Sequence, residues 1–275
     1  MRYQFRVTDF AKGTLTELNA AEARFAAVLS RPRSIALAGI VGLTALGWAA
    51  LGLMIADSTG TIWQALCRPA SAAGWTAALL AAPMWVAMAP AMMLPTAGPM
   101  ILTYAEIADT AARKGEPVVS PLVLMAGYLA VWLGFALGAA ALQGLLAHAG
   151  LLDAGKAGTL VAGVIFVGSG LYQFTALKHA CLTKCQRPFP FFFANWTTER
   201  RGVLRLGLQQ GLTCLGCCWA IMLLMLAVGA MNVVWMAALG VLMTIEKMTS
   251  TEKFSEALGV AFVVLGCGLA TVSVL

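Results

Sequence analysis

Three thiols fall within five residues of one of the most apolar stretches of the chain, "GLTCLGCCWAIMLLMLAVG" at 211–229. On a helix Cys214 and Cys218 share a face at i and i+4, with Cys217 beside them at i+3. A single cysteine in such a place is ordinary apolar filling. A thiolate in hydrocarbon is costly without a counter-charge. These sulfurs are therefore either neutral packing groups or ligands of a soft cation that displaces their protons. Among soft cations Cu(I) is the first choice and zinc the second.

Further sulfur lies on two other segments. In "WTAALLAAPMWVAMAPAMMLPTAGPMILTYAEIA" Met84, Met88 and Met92 follow one another at i, i+4 and i+8, which lines them along one face of a regular helix. Thioethers suit Cu(I), although methionine is also common core filling. Pro83, Pro90, Pro95 and Pro99 interrupt the same helix, as in segments that border sites within bundles. In "LYQFTALKHACLTKCQRPFPFFFANW" Cys181 and Cys185 share a face, with His179 near but off it. The depth along this segment places that pair near the cytoplasmic surface, apart from Cys214, Cys217 and Cys218 at mid-membrane. One ion would then need a relay from Met84, Met88 and Met92 to the three thiols and on to Cys181 and Cys185. Tyr172, Gln173, Lys178 and Glu246 are the polar side chains expected to stitch helices together, with Glu246 and Lys247 read as an interfacial pair.

The elements that must position these groups follow from composition. Hydrophobic residues make up 60% of the 275 positions and charged ones 11%, and the mean hydropathy is +0.84. Such a chain is read as a polytopic membrane protein. No ten-residue alternation suggests a barrel, so the expected fold is all-α, a membrane helical bundle. Crossings are expected near 34–56, 76–99, 121–146, 159–179, 206–229, 231–246 and 256–275, about seven helices at about twenty residues each. Of the 18 Lys and Arg residues, all except Arg68 and Lys156 fall on one set of alternate loops. That asymmetry sets the N-terminus in the cytoplasm and the C-terminus in the periplasm. Residues 1–33 form a cytoplasmic segment, in which Leu15, Leu18, Phe25, Val28 and Leu29 mark an amphipathic interfacial helix. Residues 34–275 form a single transmembrane domain.

The net charge of +6 is mostly this topology signal and does not point to nucleic acid. No Walker loop, H-E-x-x-H helix or G-x-S-x-G elbow occurs, and the 2 histidines leave little for haem. Binding or transfer of a metal is expected rather than catalysis. A quinone- or lipid-modifying enzyme has only Tyr172, Gln173 and Lys178 in its favour. The alternative class is a non-catalytic accessory or scaffold subunit of a larger membrane complex, its Gly- and Ala-rich stretches at 44–53 and 134–142 serving close helix contacts. The expected partners are membrane lipids and either such a complex or a metal-carrying protein.

The segments "WVAMAPAMMLPTAGPM" (85–100), "LYQFTALKHACLTKC" (171–185), "GLQQGLTCLGCCWAIM" (207–222) and "GAMNVVWMAALGVLMTIEK" (229–247) also carry a resemblance. Together they resemble a bacterial family of unknown function described as predicted metal-binding integral membrane proteins. The resemblance implies an inner-membrane location. It also implies that Met92, Met93, Tyr172, Gln173, Lys178, Cys181, Cys185, Cys214, Cys217, Cys218, Met231, Trp235, Glu246 and Lys247 belong to a shared pattern.

Overall fold

The computed structural model describes residues 31–56, 75–152, 156–228, 233–249 and 252–274, and no strand occurs among them. The expected amphipathic helix within 1–33, Cys67 and the "GAMN" connection lie outside the described residues. The helices are α1 (Pro32–Ala56), α2 (Trp75–Met88), a π-helical turn (Ala89–Met93), α3 (Leu94–Arg113), α4 (Pro121–His148) and α5 (Lys156–Tyr172). They continue with α6 (Ala176–Gln186), α7 (Pro188–Ala194), α8 (Arg200–Val228), α9 (Val233–Met248) and α10 (Glu252–Val274).

Every expected crossing falls on a helix, but the helices differ in reach. Pro32–Met54, Ala81–Arg113, Pro121–His148, Arg200–Ala227 and Lys253–Ser273 are each long and apolar enough to cross a membrane. The expected fourth crossing, 159–179, is not one rod. It breaks after Tyr172 and resumes at Ala176 with a bend of 66° between α5 and α6. The break is built by Thr175, whose hydroxyl donates to the Tyr172 carbonyl at 2.8 Å and accepts from the Lys178 backbone N–H at 3.3 Å, capping α6. The expected sixth crossing, 231–246, is the 16-residue α9. At 1.5 Å per residue its described part, Val233–Met248, spans about 24 Å against the roughly 30 Å of a hydrocarbon core, and residues 229–232 before it lie outside the described residues. Among the described residues five helices, or six with the bent pair taken as one, are long and apolar enough to cross a membrane, where about seven are expected.

The helix α8 lies at the centre, touching α4, α5, α6 and α9, while α10 packs along α5 and α1 covers the α2–α3 segment. The small residues that permit close approach are not those the sequence suggested throughout. Gly47 meets the Ala87 carbonyl and the Ala91 amide as expected, but Gly134 and Gly138 face open space. The tightest crossing is Gly127 of α4 against Gly207 of α8, where added Cβ atoms would meet the Leu204 and Leu124 carbonyls.

The segment rich in proline stays continuous through its π-helical turn. Pro90 and Pro95 have no N–H to donate, and the turn absorbs this with one wider loop of backbone. That wider loop shifts the helical register after Met88, so Met84, Met88 and Met92 do not keep the single straight face of a regular helix. All three remain buried, and Met92 lies against Gly240 of α9.

Candidate metal centre

The thiols Cys214, Cys217 and Cys218 project from α8 into the protein, at most 2% exposed. Their sulfurs all lie within 4.8 Å of one another. Cys217 Sγ is 3.4 Å from Cys218 Sγ and 3.8 Å from Cys185 Sγ on α6. A metal held at about 2.3 Å by each sulfur separates them by about 3.8–4.0 Å. The spacing therefore suits a soft ion without large rearrangement.

The bend between α5 and α6 explains why Cys185 is here. A straight fourth helix would carry Cys181 and Cys185 away from Cys217, whereas the 66° bend lays α6 against α8. The separation in depth expected between the two cysteine groups is thus absent. Cys181 is seated on α8 as well, since a Cβ at Gly216 would come within 2.6 Å of its sulfur. His179 is half-buried, and the hydrogen bonds described for it are backbone ones, its N–H donating to the Thr175 carbonyl. It does not join the thiol group.

A polar frame surrounds the sulfurs. Lys178 is 0% exposed and Glu246 2% exposed. The Lys178 ammonium donates to Glu246 Oε2 at 2.8 Å and to the Cys217 carbonyl at 2.6 Å. Ser255 of α10 donates to the other carboxylate oxygen at 2.6 Å. One buried ion pair thus ties α6, α8, α9 and α10 together at the level of the thiols. The expected pairing of Glu246 with Lys247 does not occur, because neighbouring residues on a helix point about 100° apart.

Lys247 turns instead to the other side of the cluster. Its ammonium donates to Cys214 Sγ at 3.0 Å and to the Thr96 hydroxyl at 2.9 Å. Thr96 donates to the Met93 carbonyl at 2.9 Å, and Tyr128 Oη is 3.1 Å from that carbonyl and 3.0 Å from Cys214 Sγ. The result is a closed ring running Met93, Tyr128, Cys214, Lys247 and Thr96, anchored on the π-helical turn. Tyr128 and Thr96 were not singled out from sequence. The available signal was a hydroxyl in an otherwise apolar helix, which needs a partner when buried.

The remaining expected polar residues divide. Tyr172 donates to the Gly216 carbonyl at 2.5 Å, and its ring lies 4.9 Å from that of Trp219. Gln173 is fully buried at the α5–α6 break, and neither atom of its amide meets a partner among the described residues. Gln143, late in α4, accepts from the Trp85 indole at 2.6 Å.

Neither curated proteins nor solved structures return a match to this chain. Over residues 82–269, from α2 into α10 and through every thiol described above, the sequence matches PpoB2, a family described as copper chaperone. With more than half of its length matched, the chain belongs to the PpoB2 copper chaperone family.

Proposed function

We propose that this protein is an integral membrane copper carrier that holds Cu(I) on Cys214, Cys217 and Cys218 and passes it on by ligand exchange. The observation that carries the reading is the group of three buried sulfurs within 4.8 Å of one another on one helix of a chain from a copper chaperone family. Soft thiolates in a dry pocket favour a soft monovalent ion. Each thiol that ligates gives up its proton, so loading releases protons and unloading takes them back.

Exchange needs a further donor within reach of the bound ion. Cys185, 3.8 Å from Cys217, is that donor, and Cys181 one turn earlier on α6 continues the path. Met84, Met88 and Met92 are the weaker thioether ligands from which the thiols receive the ion. The receiving or delivering partner is a metal-carrying protein.

The setting proposed is the bacterial inner membrane, with lipid around the long apolar helices, the N-terminus cytoplasmic and the C-terminus periplasmic. The exposed Leu46, Leu53, Leu137, Leu145, Val164 and Val264 suit a lipid-facing exterior. A reporter active only outside the cytoplasm, fused after Leu275, is expected to be active. Activity only with a cytoplasmic reporter overturns that orientation.

The copper assignment is tested by anaerobic purification of the full chain from copper-supplemented cells and elemental analysis. The wild type is expected to carry stoichiometric copper. The variant Cys214→Ala, Cys217→Ala, Cys218→Ala is expected to carry almost none while still extracting as folded protein. Equal metal in the two, or no copper in the wild type, removes the proposal.

A further inference from the structure

The two lysines near the thiols, Lys178 buried and Lys247 half-buried, are not equivalent. Lys178 is matched by Glu246 at 2.8 Å, and that carboxylate is completed by Ser255, so the pair presents no net charge to the sulfurs. Lys247 has no carboxylate partner among the described residues. Its ammonium spends its hydrogen bonds on the Thr96 hydroxyl and on Cys214 Sγ. Tyr128 donates to the Met93 carbonyl and shares a hydrogen bond with Cys214 Sγ in which either atom can be the donor. Lys247 is therefore the one fixed, unmatched positive charge described at the cluster.

Resting on the metal-site reading above, we infer that Lys247 is a specificity-determining residue that biases the thiol centre toward a monovalent over a divalent soft ion. The charge count carries this. Three thiols that bind a metal lose three protons, so the centre holds three negative charges before the ion is counted. With Cu(I) the complex carries −2, and with a divalent ion such as Zn(II) it carries −1. For any fixed set of thiolates the Cu(I) complex is the more anionic by one unit. The attraction of a nearby ammonium grows in proportion to that charge. In a dry interior an unmatched anion is expensive. One lysine thus supports the Cu(I) complex about twice as strongly as the zinc complex, adding to the preference of soft thiolates for a soft monovalent ion.

Lys247 can act this way without being a ligand. Its head group already meets the sulfur of Cys214, and Thr96, held by the π-helical turn, keeps it there. The arrangement also explains why Lys247 and Glu246 are adjacent in sequence and yet unpaired. One supplies a neutral structural tie and the other a charge.

The test is competition against chelating indicators for Cu(I) and, separately, for Zn(II), on the full chain in detergent under anaerobic conditions. Wild type, Lys247→Met and Lys247→Arg are compared, each also in a Cys185→Ser background that holds the donor set at three thiols. Lys247→Met is expected to lose about 100-fold in Cu(I) affinity and only about tenfold in Zn(II) affinity. Lys247→Arg, which keeps the charge, is expected to stay close to wild type in the ratio of the two. Should Lys247→Met not fold, Lys247→Gln keeps a polar link to Thr96 and removes the same charge. Equal losses for both ions, or none, overturn the inference and leave the copper site standing. A wild type that binds neither ion overturns both.

Discussion

Replacing Lys178 with methionine is expected to destabilise the protein by about 3–5 kcal/mol, the usual cost of removing one partner from a buried ion pair. The carboxylate of Glu246, 2% exposed, then loses its counter-charge and keeps only the Ser255 hydroxyl. The Cys217 carbonyl also loses the Lys178 donor that reaches it at 2.6 Å. The double variant Lys178→Met, Glu246→Leu is expected to recover most of the loss, because it removes both charges and fills the space with apolar groups. Thermal unfolding in detergent measures all three proteins. A single variant as stable as wild type, or a double variant no better than the single, contradicts the ion pair as a stability element. The same experiment separates structure from metal chemistry. The double variant retains every thiol, so its copper content is expected to follow its folded fraction.

That three thiols cluster was legible from sequence, since Cys214, Cys217 and Cys218 fall within five residues on one side of a helix, while neutral packing and metal ligation both stayed open. The all-helical fold was legible for the same reason that makes hydropathy informative: apolar runs of about twenty residues have few alternatives to a helix in hydrocarbon. What stayed hidden was the geometry that joins the cysteines. The break at Gln173–Thr175 contains neither glycine nor proline, so composition gives no warning of it. It is written only in Thr175, a residue that caps a helix as readily as it continues an apolar segment. Missing the break put Cys185 at the wrong depth, whereas the bend brings it to 3.8 Å from Cys217. The four prolines of the second segment pointed to an interruption, and one occurs, but as a π-helical turn that shifts register instead of a sharp kink. Lys247 was hidden by a different assumption. Adjacent opposite charges invite pairing on paper, although a helix sends them to different sides.

Substituting valine at Gly207 is expected to lower stability by about 3 kcal/mol, toward the severe end of overpacking. It is also expected to lower copper occupancy. A Cβ at this position would meet the Leu124 carbonyl, which is backbone and cannot rotate away. The helices α4 and α8 must then separate along their closest line of contact. Gly207 lies two turns before Cys214, on the same face, so the displacement passes directly to the thiols. Tyr128, next to Gly127 on α4, is 3.0 Å from Cys214 Sγ, and the ring through Met93 and Lys247 depends on that approach. A control glycine lies on α4, the partner helix of this crossing. Gly138 has nothing within 4 Å of an added Cβ, so Gly138→Ala is expected to be neutral or to stabilise by about 0.5–1 kcal/mol through reduced backbone freedom in the unfolded chain. Unfolding temperature and copper per chain, measured together for both variants, decide the matter. If Gly207→Val melts like wild type and holds the same copper, the α4–α8 crossing is not what positions Cys214. If it melts lower yet binds copper fully, the crossing supports the fold while the thiols are held by α6 and α9 alone.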